Sequence, residues 1–204
     1  MAFEKLVVAS TNPGKLREIG QILAPLGIKV LPQSAFDVPE AEEPFDTFVE
    51  NALAKARHAA QRTGLPALAD DSGICVDALG GAPGVHSARF AGEPRSDDRN
   101  NAKLLEMLAG QTNRAAHYYC VIVVMRHGTD PQPLIAQGLW QGDILHAPRG
   151  SGGFGYDPLF VPDRHQNTYA ELDESAKNRI SHRGCAFNGF ARWLNGQPGV
   201  TTEA

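Results

Sequence analysis

The chain has 204 residues, of which 42% are hydrophobic and 21% charged, with a formal net charge of −4 at pH 7. That length supports one sizeable α/β domain or two small lobes, with a core that needs no disulfide or metal staple. The acidic balance excludes a bulk attraction to nucleic acid or to an anionic membrane, neither of which is expected as a partner, so any phosphate site has to be built locally.

The N-terminal MAFEKLVVAS carries Glu4 and a short apolar run, Leu6 to Ala9, which reads as a strand and not as a signal or transit peptide. Ser10-Thr11-Asn12-Pro13-Gly14-Lys15 follows, and then Leu16, Ile19, Ile22 and Leu23 recur at helical spacing. Asn12 suits the N-cap and Pro13 the first helical turn, which aims the backbone N–H groups of the helix start at the loop, with Lys15 beside them. Such a terminus is either an anion site suited to phosphate or a well-capped helix with a surface lysine. It is not a Walker A loop, which would need Gly where Ala9 stands and Ser or Thr where Leu16 stands.

Val30 to Leu31 reads as a short strand and Phe36 to Phe45, FDVPEAEEPF, as a loop. Its Glu40, Glu42 and Glu43 either reach a metal or form a solvated acidic face. Thr47-Phe48-Val49-Glu50 is a capping box, and the helix it opens runs to a stop at Gly64. Asn51 and Lys55 share one face of that helix. Lys55 is a second phosphate ligand or an ordinary surface charge.

Ala67-Leu68-Ala69 leads into Asp70-Asp71-Ser72-Gly73, and the two carboxylates are expected at a strand end with no bulk to bury them. A carboxylate pair there suits a hard divalent cation such as Mg²⁺, which takes oxygen ligands and keeps several waters. The same residue types also dominate turns for backbone reasons alone. Gly80-Gly81-Ala82-Pro83-Gly84 forces a tight turn, and Ser96 or Asp97 caps a helix through Leu104, Leu105 and Leu108.

Tyr118 to Met125 reads as a central strand buried on both faces. Leu134 to Leu145 reads as two further strands, with Gly138 and Gly142 at bends or bulges. In Gly150 to Pro158, GSGGFGYDP, glycines leave Phe154 and Tyr156 projecting. Phe154 is then a stacking platform for a base or a plug in the core. Thr168 to Ile180 reads as a short helix carrying Lys177, and Ser181 as the N-cap of a last amphipathic helix through Phe187, Phe190, Trp193 and Leu194. His182 and Arg183 fall in its first turn, where the macrodipole disfavours cations, which points to a ligand-facing task or to a neutral, hydrogen-bonded His182. NGQPGVTTEA reads as a frayed tail from about residue 196. Cys75, Cys120 and Cys185 fit neither a zinc site nor a disulfide framework and read as reduced thiols of a cytoplasmic protein.

Taken together, S-T-N-P-G-K (10 to 15), the Thr47 to Lys55 segment, A-D-D-S-G with G-G-A-P-G-V-H-S-A-R (69 to 89), G-G-F-G-Y-D-P (152 to 158) and S-H-R-G (181 to 184) stand in a compatible order. The set resembles the non-canonical purine NTP pyrophosphatases, also called inosine triphosphate pyrophosphatases or dITP/XTP diphosphatases, from about Leu6 to about Leu194. The resemblance implies Mg²⁺-dependent hydrolysis of ITP, dITP or XTP to the monophosphate and pyrophosphate, by a homodimer. It also implies an α/β fold with two lobes around a long mixed β-sheet, helices packed on it and the active-site cleft between the lobes, in one two-lobed domain over 1–204. Carried over by position, the phosphate loop is Ser10, Thr11, Asn12, Pro13, Gly14 and Lys15, helped by Lys55. Asp71 is the metal ligand and catalytic carboxylate, Ser72 an adjoining substrate contact and Glu42 the second metal ligand, with Glu40 and Glu43 as alternatives. Phe154, Gly155, Tyr156, Asp157, Lys177, His182 and Arg183 form the base-recognition set. A nucleotide-binding sensor that does not hydrolyse, and a pyrophosphatase acting on other modified nucleotides, are the competing readings.

Overall fold

Strand β1, Lys5–Val8, buries Leu6, Val7 and Val8 completely, as a strand covered on both faces must. In this computed structural model, which describes residues 3–173 and 180–195, β1 is flanked by two parallel partners, β2 (Lys29–Pro32) and β3 (Ala67–Val76). The six-stranded sheet has the order β2-β1-β3-β4-β5-β6, with β4 at Ala115–Met125, β5 at Leu134–Ile144 and β6 at Phe160–Pro162. β5 and β6 run antiparallel, so the sheet is mixed and open, and the fold is α/β.

The helices begin where their caps dictate. Helix α1, Pro13–Leu23, starts on Asn12, whose side chain accepts from the backbone N–H groups of Gly14 and Lys15. Helix α2, Phe48–Thr63, starts on Thr47, whose hydroxyl accepts from Glu50 N–H, and stops at Gly64 in the left-handed region at φ 67°. Helix α3, Asp97–Met107, is capped by Ser96, and α4, His182–Leu194, is the last described helix. Among the described residues no helix is long and apolar enough to cross a membrane.

The chain forms two compact units. The first takes the chain up to Asp71, Cys120–Gly138 and the chain from Arg183 onward. Its core packs Leu6, Val8, Ile19, Leu68, Ile122, Phe187 and Phe190. The second comprises Ser72–Tyr119 and Leu139–His182, and its core packs Ile74, Leu104, Tyr118, Tyr156, Phe160 and Tyr169.

Several expectations are corrected. Asp70 and Asp71 do not end a strand, because β3 continues through both to Val76 and buries them at 2% and 7% exposure. The stretch from Leu134 is one strand, not two. Gly142 marks no break. It pairs with Pro162, and a Cβ there would lie 2.2 Å from the Val161 carbonyl oxygen, so glycine admits the close approach of β6. Of the expected helix over 168–180, the described part up to Asp173 holds a single 3₁₀ turn at Tyr169–Glu171 and Ile180 is helical; residues 174–179, with Lys177, and the tail from 196 lie outside the described residues.

Candidate active site

Successive residues of a strand point to opposite faces of its sheet, so adjacent aspartates in β3 are sent to different surroundings. Asp70 Oδ2 receives Arg183 Nη2 at 2.9 Å, Arg183 Nε at 3.2 Å and Lys15 Nζ at 3.2 Å. Arg183 Nη1 also donates to Glu18 of α1. Burial by itself would raise the Asp70 pKa, but Lys15 and then Arg183 outweigh it and hold this carboxyl far below the usual carboxylate range. Asp70 is therefore an ionised link between the Lys15 ammonium and a buried guanidinium.

Asp71 turns to α2. Its Oδ1 lies 2.8 Å from Lys55 Nζ, and the same ammonium lies 2.6 Å from Glu43 Oε1. Burial lifts the Asp71 pKa above its ordinary value despite the pull of Lys55, and the Glu43 charge pushes the same way. Burial would lower the Lys55 pKa, yet Asp71 and Glu43 together carry it above its ordinary value. Asp71 Oδ2 is buried and has no hydrogen-bond partner among the described residues.

The acidic loop reaches this place because Asn51 clasps it. The Asn51 side chain, 2% exposed, accepts from Phe45 N–H at 3.1 Å and donates to the Phe45 carbonyl at 3.0 Å. Asn51 and Lys55 are one helical turn apart on α2, so one face fixes the loop and presents the ammonium to it. Of the three loop glutamates, Glu43 stands at Lys55, whereas Glu42, the expected metal ligand, is exposed and Glu40 accepts from the Thr11 hydroxyl of the phosphate-type loop.

Within that loop the N-cap geometry is as expected, with an added constraint. Gly14 and Lys15 N–H are taken by Asn12 Oδ1, Leu16 N–H by the Asn12 carbonyl and Asn12 N–H by Ser10 Oγ, so the helix-start N–H groups are engaged and the cationic group of the loop is Lys15 Nζ. Ser10, Thr11, Asn12, Pro13, Gly14, Lys15, Lys55, Asp71, Glu43 and Arg183 all belong to the first unit.

Ser72, Phe154, Gly155, Tyr156, Asp157 and His182 belong to the second unit. Here the expectation of two projecting aromatics holds for neither in full. Tyr156 is 3% exposed, packs in the core and donates its hydroxyl to the Ser87 carbonyl at 2.8 Å, whereas Phe154 is half-buried. Asp157 also faces inward: Oδ2 accepts from Phe154 N–H at 3.0 Å and Oδ1 from the Tyr118 hydroxyl at 3.1 Å. The His182 ring stacks on Tyr118 with centroids 4.7 Å apart and planes at 13°, so Tyr118 fixes both the loop and the imidazole plane. Burial and then the Asp157 charge keep the Tyr118 phenol protonated well past its ordinary value.

Sequence reasoning missed Glu18, Asn51 as a clasp and Tyr118. Glu18 had a signal, since it shares a face with Lys15 and Ile22 at the edge of the apolar stripe of α1. Tyr118 had none, being one aromatic in a β-rich run. Arg183, expected among the base readers, has its guanidinium engaged by Asp70 and Glu18.

Comparison with known proteins places these features in a family. The sequence pattern of the Ham1 family matches residues 6–193. A dITP/XTP pyrophosphatase of Aromatoleum aromaticum is 62% identical over 194 residues, covering 95% of this chain and 98% of that protein. One from Nitrosomonas europaea is 62% identical over 191 residues, with 94% of each chain covered. The solved structure of a HAM1 protein from Coxiella burnetii superposes with a TM-score of 0.88 at 50% identity, covering 94% of this chain and 98% of that one. A structure titled nucleoside-triphosphatase / dITP/XTP pyrophosphatase from Mycobacterium abscessus gives a TM-score of 0.72 at 40% identity, covering 91% and 98%.

Proposed function

The chain belongs to the Ham1 family, and from that premise we propose that it hydrolyses ITP, dITP and XTP to the monophosphate and pyrophosphate with Mg²⁺, as a homodimer in the cytoplasm. It is a hydrolase acting on nucleoside triphosphates, as its relatives are named. The substrate list and the dimer rest on the motif resemblance. The cytoplasmic assignment rests on three free cysteines.

The observation that carries the reading is the pair Asp71 and Glu43 converging on one ammonium, with a buried Asp71 oxygen left without a hydrogen-bond partner among the described residues. Such a pair fits Mg²⁺, which is bound by one or two carboxylates and completed by waters and substrate phosphates. Asp71 and Glu43 would hold it. When bound, the ion supplies charge neutralisation on the phosphates and makes a coordinated water more acidic.

The chain's own groups do the rest. Lys15 offers its ammonium to the departing pyrophosphate, held in place by Asp70. Asp71 orients the attacking water for in-line displacement at the α-phosphorus, acting through position more than through basicity. Lys177 and His182 donate to a 6-keto oxygen, whereas a 6-amino group facing them would leave donors unpaired at about 1 to 3 kcal/mol each. Tyr118 keeps the His182 plane and the Asp157 turn in register for that contact, and Phe154 offers a face to the base. Arg183 serves by bracing Asp70, and through it Lys15. Asp71→Asn, assayed on dITP with Mg²⁺, is expected to lower kcat by about 10²-fold or more; turnover near the wild-type value would remove Asp71 from the chemistry.

A further inference from the structure

We propose that Lys55 and the divalent cation hold Asp71 and Glu43 by turns, so that cation binding is what releases the Lys55 ammonium toward the triphosphate. This rests on the metal-site reading given above. Lys55 Nζ stands 2.6 Å from Glu43 Oε1 and 2.8 Å from Asp71 Oδ1, in direct contact with both carboxylates. Mg²⁺ needs its oxygens at about 2.0 to 2.1 Å. A divalent cation drawn to the same carboxylate pair, by the unpartnered Asp71 Oδ2 or by the oxygens Lys55 now holds, is repelled by the ammonium at short range in a buried site, so each cation weakens the other's hold and the doubly charged one displaces the lysine.

The parts differ in what can move. Glu43 is two residues from Phe45, whose backbone is clamped by both ends of the Asn51 amide. Asp71 lies inside β3, a continuous strand. Lys55 alone is a long flexible stem on a fixed helix, and Asn51 on the same face keeps the acidic loop from following it away. Without a divalent cation, Lys55 ties the two carboxylates together and is withheld from phosphate. A nucleotide that arrives with its cation would fill the carboxylate pair and free Lys55 in one event. The acidic pair then acts as a latch on a phosphate-binding lysine as well as a metal site.

The test is Mn²⁺ binding, measured by electron paramagnetic resonance on the full chain without nucleotide, for the wild type, Lys55→Met and Asp71→Asn. Lys55→Met is expected to bind Mn²⁺ about tenfold more tightly than the wild type. Equal or weaker binding would overturn the exchange. Asp71→Asn is expected to lose the site; if it binds Mn²⁺ as the wild type does, the metal-site reading itself fails and the exchange falls with it. A second measurement needs no variant. Acylation of lysines by an amine-reactive ester, followed by peptide mass spectrometry, is expected to rise at Lys55 when Mg²⁺ is added, relative to the exposed Lys29. Labelling of Lys55 that stays level under saturating Mg²⁺ would contradict the release.

Discussion

Arg183 is the largest of the fully buried side chains, at 1% exposure, and it lies between two carboxylates in the first unit. Removing one member of a buried ion cluster strands the others, so Arg183→Ala is expected to cost about 3 to 5 kcal/mol of stability, read from denaturant midpoints. Asp70 gives the cluster its pH dependence. Its ordinary value is 3.8, and the native one lies far lower because Lys15 and Arg183 overcome the effect of burial. A depressed carboxylate contributes stability in full above the unfolded value and loses it as pH falls toward the native one. Wild-type stability should therefore fall more steeply below about pH 4 than that of Asp70→Asn, which has no such charge to lose; parallel acid profiles would contradict this.

At the scale of elements, α3 is tied to the loop that carries Phe154. Asp97 Oδ2 accepts from Gly155 N–H at 2.7 Å, and Asn101 Nδ2 donates to the Gly155 carbonyl at 2.9 Å, a hold on both sides of one residue. The double variant Asp97→Ala with Asn101→Ala should loosen the loop and raise KM for dITP about tenfold, with a smaller effect on kcat. A KM that stays put would free the loop from α3. At the other side of the same unit, Gly142→Ala would set a methyl against the Val161 carbonyl and should cost about 1 to 3 kcal/mol by forcing β5 and β6 apart. These elements also separate what was legible in the sequence from what was not. The caps at Asn12, Thr47 and Ser96 were readable because each bond spans two or three residues. Gly142 and Tyr156 were misread because their reasons, the Val161 and Ser87 carbonyls, are supplied by segments remote in the sequence.

For the whole molecule, the order of five short motifs identified the chemistry although each alone was compatible with an ordinary turn or cap. The sheet then explains how neighbours in the motif A-D-D-S-G take different tasks, since strand alternation sends Asp70 to Arg183 and Lys15, and Asp71 to Lys55 and Glu43. That Glu43, and not Glu42, meets Lys55 was beyond the sequence because it depends on how the Asn51 clasp folds the acidic loop back against α2. The account of the whole chain as a pyrophosphatase of non-standard purine nucleotides is tested most directly by product analysis over a panel of ITP, dITP, XTP, ATP and GTP with Mg²⁺. It predicts monophosphate and pyrophosphate from the first three, with ATP and GTP slower in kcat/KM by about 10²-fold or more. Release of orthophosphate with a diphosphate product, or equal turnover of all five, would contradict it.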